Sequence, residues 1–153
     1  MLGGSGPWYR YHQSKLANSV FAQYLHDKLL ASTNEDCNNI LSVSAHPGTC
    51  DTNLFDQHKP TGYIMSKIIQ LLVIRHCFLP AENGSMGLLK GMMDCRNNVV
   101  GGMCYGPKVY GPNIHSNGGT PVPIPPRPYE IDPKAKDMLW RRSEQAIGVT
   151  FDI

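Results

Sequence analysis

None of the chain's 15 glycines and 12 prolines falls between Tyr11 and Ala31. Within that stretch Leu16, Val20, Phe21, Tyr24, Leu25 and Lys28/Leu29 recur at spacings of three and four, the period of one face of an α-helix. An amphipathic helix of about five to six turns is therefore expected over residues 11–31, with SerThrAsnGluAsp at 32–36 breaking it. Residues 1–10 are expected to be a loop lead. Any fold the chain adopts must be built around this one long helix.

The rest of the chain is more broken. Ile40 to Ala45 is short, carries β-branched residues and runs into His46-Pro47-Gly48, which reads as a strand entering a turn. A second helix is expected from Tyr63 to Cys77 and a third from about Ala81 to Asp94, with Pro80 in its first turn. Gly84, Gly87 and Gly91 each weaken that third helix by about 1 kcal/mol relative to alanine, so close packing against a neighbour is the expected reason for them. Val99 to Tyr105 can hold another short strand. Residues 101–128 contain six glycines and seven prolines and read as one long loop of polyproline character, with ValProIleProProArgPro as a possible ligand for a proline-recognising partner. A last helix fits Pro133 to Ile147, with Asp132 as its cap and Gly148 as its stop.

Alternating strand and helix argues for an α/β fold with a parallel sheet, although only about two strands are legible. At 153 residues the chain supports a single domain, 1–153. A net charge of +2, with no like-charge block beyond Arg141-Arg142, is too mild for a nucleic-acid binder. Five cysteines with no CxxC pair are read as reduced thiols of an intracellular, cytoplasmic protein. No basic-then-apolar signal opens the sequence. The longest aliphatic run, Leu71 to Ile74, is far short of a membrane span, so no transmembrane segment is expected. The histidines share no metal-ligand spacing, and no metal is assigned. Trp8 and Trp140 are expected to be packing residues, and His46 a satisfied histidine at a strand end.

Chemistry enters through Tyr11 and Lys15, four apart on one helical face. An ammonium beside a phenol favours the phenolate, and such a tyrosine can exchange a proton with an alcohol or carbonyl near neutral pH. The spacing alone is cheap, because Tyr24/Lys28 and Tyr63/Lys67 share it. Context separates them. Only the first reads Tyr11-His-Gln-Ser14-Lys15-Leu-Ala17-Asn18-x-x-Phe21 and leads through one helix to His46-Pro47-Gly48-x-x-x-Thr52.

On these residues the sequence resembles the short-chain dehydrogenase/reductase family, near its retinol-dehydrogenase-like branch. Pro80-Ala-Glu82-Asn-Gly84, Gly102-Met-Cys-Tyr105-Gly106-Pro107 and Leu139-Trp140-Arg-Arg-Ser143-Glu144 extend the likeness to about Phe151. The resemblance implies a Rossmann-type, doubly wound parallel sheet, NAD or NADP as cofactor, and hydride transfer to or from a small lipophilic alcohol or carbonyl. It makes Tyr11 the acid/base and Lys15 its partner and a ligand of the nicotinamide ribose. It sets Pro47 and Gly48 against the nicotinamide, the Cys50 backbone N–H at the carboxamide, and the Thr52 hydroxyl at the carboxamide or diphosphate. The family's glycine-rich turn, its Asn-Ala-Gly strand and its catalytic serine have no counterpart in these 153 residues. What is present resembles the C-terminal half of the domain, which is not expected to catalyse alone. The alternative implied is a non-catalytic module that dimerises, or joins a full-length relative, through the Tyr11–Ala31 helix.

Overall fold

A helix starts most readily where its first residue has no N–H to leave unsatisfied, and Pro7 supplies that start. In the computed structural model, which describes residues 6–48, 50, 80–94, 96–107 and 120–153, α1 runs from Pro7 to Ala31. Gly6 is its extended N-cap, and the Gly6 carbonyl accepts from Arg10 N at 3.2 Å. The expected loop lead is thus corrected: residues 7–10 are helical, because proline at the first helical position nucleates the turn. Ser32, extended at φ −65° and ψ 142°, ends the helix. The stretch expected only to break it goes on to form a single turn, α2 (Glu35–Asn38), capped by the Asn34 side chain on Asp36 N.

The strand expected over 40–45 is shorter in the structure: β1 is Ser44–Ala45. α3 spans Ala81–Met93 with Pro80 at its N-cap rather than inside its first turn, and a 3₁₀ turn follows at Arg96–Asn98. β2 is Cys104–Gly106, β3 is Val122–Ile124, and α4 is Pro133–Ile147. The last helix matches its expected bounds. Asp132 Oδ1 accepts from Lys134 N at 3.1 Å, and Gly148 closes the helix in the left-handed region at φ 70°.

The sheet is three-stranded and mixed, in the order β1-β2-β3. Bonds from Gly102 N to Ser42 O, Ser44 N to Met103 O and His46 N to Tyr105 O climb both strands together, so β1 and β2 are parallel. β3 corrects the reading of 101–128 as one loop. Pro123 lacks a ladder donor, which hid the strand, yet an edge position such as β3 holds tolerates proline. The chain is α/β, and the expected helix over Tyr63–Cys77 lies outside the described residues.

The chain divides into two units: residues 1–44, 95–104 and 124–153, and residues 45–94 and 105–123. In the first, α1 packs on α4. Trp140, 5% exposed, stacks on Phe21 at 5.3 Å and meets Tyr24 and Phe151 edge-on. Its indole N–H donates to Glu144 Oε1 at 3.0 Å. Burying that ring is worth about 5 kcal/mol at most. Lys136, also buried, reaches Asp27 at 2.7 Å.

In the second unit, Gly84 and Gly87 of α3 allow the close packing that their helix-weakening suggested. A Cβ on Gly87 would stand 2.8 Å from Tyr105 O and 3.3 Å from Ala45 Cβ. One on Gly84 would stand 2.5 Å from Cys50 Sγ. Both positions let α3 lie closer to its neighbours than any side chain permits.

Candidate functional site

Lys15 Nζ lies 5.5 Å from the Tyr11 ring centroid, on the same face of α1. Tyr11 is half-buried and Lys15 exposed. Trp8, one turn earlier, meets Tyr11 edge-on at 6.1 Å, and His12 stands beside it at 5.6 Å. Trp8 is 52% exposed, so it is not the packing residue expected; it flanks the tyrosine instead. The two rings were missed as neighbours of Tyr11, although the three-residue spacing of Trp8 carried the signal.

The second pair has nearly the same geometry, with Lys28 Nζ 5.4 Å from the Tyr24 ring. Its surroundings differ. Lys28 also lies 5.1 Å over Trp140, and Tyr24 packs edge-on against that indole at 5.6 Å. Tyr24 and Lys28 are therefore committed to the α1–α4 interface, while among the described residues the ring contacts of Tyr11 are with Trp8 and His12 of α1 itself. Tyr63 and Lys67 lie outside the described residues.

In the other unit, β1 leads into a turn closed on itself. His46 N donates to Tyr105 O at 2.8 Å, and Gly48 N donates to His46 Nδ1 at 2.8 Å. Gly48 adopts φ 75°, a conformation side-chain-bearing residues rarely take. The Cys50 thiol is buried and donates to Pro47 O at 3.0 Å, and burial pushes its pKa up. His46 is thus a satisfied strand-end histidine, as expected. Because its N–H is already used within the turn, Gly48 offers a bare surface rather than a donor. Thr52 lies outside the described residues. Tyr11 and Lys15 belong to one unit, and Pro47, Gly48 and Cys50 to the other.

No family model, curated protein or solved structure matches this chain. Among the described residues, no three His, Cys, Asp or Glu side chains gather as a metal site, and no helix is long and apolar enough to cross a membrane. One further polar atom stands out. His26 Nδ1 is buried without a hydrogen-bond partner among the described residues, its ring filling the space over Gly101 and Gly102. Those glycines admit the ring, so His26 acts as a packing group in the first unit.

Proposed function

We propose that the chain carries the acid/base half of an NAD(P)-dependent oxidoreductase of the short-chain dehydrogenase/reductase type, acting on a small lipophilic alcohol or carbonyl. The observation that carries this reading is the division of labour on α1. Of two described Tyr-x-x-x-Lys pairs with nearly the same separation, one packs on Trp140 of α4, and the other has its ring contacts, among the described residues, with Trp8 and His12 of α1 itself.

The proposal assigns these residues to the nicotinamide end of the cofactor. Pro47 and Gly48 follow the carboxyl end of β1, the side on which open α/β sheets bind ligands. Gly48 presents no side chain, which suits the face of a flat ring. When bound, the nicotinamide accepts or supplies the hydride. Tyr11 gives its phenolic proton to a carbonyl oxygen or takes one from an alcohol. Lys15, 5.5 Å from the Tyr11 ring centroid, is assigned to the ribose, to which it would offer its ammonium. The Cys50 backbone N–H and the Thr52 hydroxyl are assigned to the carboxamide end. The adenosine and pyrophosphate are assigned no residue of these 153.

The test is kinetic. In a reading frame that also supplies a glycine-rich phosphate-binding turn, Tyr11→Phe is expected to lower kcat at least 1,000-fold, about 4 kcal/mol of barrier, with cofactor affinity near normal. Lys15→Ala is expected to weaken both. Turnover retained by Tyr11→Phe would refute the assignment.

A further inference from the structure

Glycine takes positive and negative φ about equally readily, so nothing in Gly48 itself selects its φ of 75°. The restraint comes from its neighbours. His46 N donates at 2.8 Å to the carbonyl of the fully buried Tyr105, which ties the start of the turn to β2. The ring of Pro47 fixes its own φ and holds His46 extended. A Cβ on Gly84 would stand 3.2 Å from Pro47 Cβ, so α3 lies against the proline. Residues 46 and 47 are thus anchored, and Gly48 is joined to them by its N–H, which donates to His46 Nδ1 at 2.8 Å.

That bond exists in one protonation state only. A backbone N–H can only donate, so Nδ1 must be the bare nitrogen of a neutral imidazole whose proton is on Nε2. In the imidazolium both ring nitrogens carry protons and neither accepts. The Gly48 N–H then meets another N–H, and the bond is lost. His46 is exposed, so its ring takes up protons directly from water. The titratable groups on the elements around the turn are the Cys50 thiol, Tyr105 on β2, and Glu82, Lys90 and Asp94 on α3 and its cap. Burial keeps the thiol protonated, and it donates to Pro47 O; Lys90 and Asp94 pair with each other at 2.6 Å.

We propose that His46 is a pH-sensitive latch on this turn: the neutral imidazole holds Gly48 at its positive φ, and protonation at Nδ1 releases it. Histidine is the side chain whose ordinary charge change falls between about pH 5 and 8. The latch is therefore closed above the His46 midpoint and open below it. With no Cβ to favour either sign of φ at Gly48, a single hydrogen bond decides the conformation. The latch rests on the geometry of the turn and not on the function proposed above.

The test follows the whole chain, labelled with ¹⁵N, by NMR from about pH 8 to about pH 5. Above the midpoint the His46 ring is expected as the Nε2–H tautomer. The Gly48 amide is expected to exchange with water about fivefold more slowly than an unbonded amide, after correction for the intrinsic pH dependence of exchange. That protection should vanish with the same midpoint as the His46 ring. His46→Asn supplies a side-chain oxygen that accepts from the N–H two residues on and does not titrate, so protection should persist across the range. His46→Ala should lack it at every pH. Protection in the parent chain that is unchanged as His46 titrates, or protection retained by His46→Ala, would overturn the proposal.

Discussion

Replacing Gly87 with alanine sets two effects of opposite sign against each other. In an open helix the change gains about 1 kcal/mol of helix propensity. Here the new Cβ would stand 2.8 Å from Tyr105 O, a backbone atom that cannot rotate away, and 3.3 Å from Ala45 Cβ. Overpacking of this kind costs about 1–3 kcal/mol. The same Tyr105 carbonyl accepts the His46 N–H at 2.8 Å, so displacing it loosens a bond worth about 1 kcal/mol as well. The net expectation is a loss of about 1–3 kcal/mol. At a slope of about 2 kcal/mol per molar urea, the unfolding midpoint falls by about 0.5–1.5 M. Gly84→Ala meets instead the Cys50 sulfur, a side-chain atom, so adding Cys50→Ala to Gly84→Ala should recover part of the loss. A midpoint for Gly87→Ala at or above that of the parent chain would show that α3 does not lie as close to β1 and β2 as the structure has it.

Other substitutions probe the first unit. Trp140→Ala should cost about 3–5 kcal/mol in urea unfolding, and Trp140→Phe clearly less, because stacking on Phe21 survives the second change. Asp27→Ala should destabilise by more than Lys136→Met, since only the former leaves a buried ammonium unpaired. Lys28→Ala should cost about 0.5–1 kcal/mol through its lost approach to Trp140, whereas Lys15→Ala should stay within about 0.5 kcal/mol. Burial pushes the Cys50 and Cys104 thiols above the ordinary range, so at pH 8 both should alkylate with iodoacetamide more slowly than free cysteine. By the same linkage the folded state holds these protons longer than the unfolded one. Unfolding free energy should therefore fall as pH rises beyond the ordinary thiol value of 9.0, which denaturant curves at pH 8 and 10 can check.

What was legible in the sequence follows from how local each signal is. α4 reads correctly to the residue because Asp132, Pro133 and Gly148 each act within one turn. The glycines of α3 announced close packing, although not that Tyr105 and Cys50 would be the neighbours. β3 was hidden because its central residue is a proline, and only the sheet order shows that it lies at an edge, where proline is tolerated. α1 starts four residues before the expected Tyr11 because proline at position 7 can open a helix, a signal that the glycines at 3, 4 and 6 obscure. At the candidate site, spacing alone could not rank Tyr11/Lys15 above Tyr24/Lys28. What separates them in the structure is Trp140, more than a hundred residues away in sequence, which claims one pair and not the other.

The proposed function has the chain take the nicotinamide end of a dinucleotide and not its adenylate end. It is tested most directly by titrating the ¹⁵N-labelled chain separately with reduced nicotinamide mononucleotide and with AMP. Saturable shifts are expected at the Tyr11, Lys15, Gly48 and Cys50 amides with the first ligand, at a Kd on the order of 1 mM, and none at those positions with AMP. Absence of shifts at all four with the nicotinamide nucleotide, or equal shifts with AMP, would contradict it.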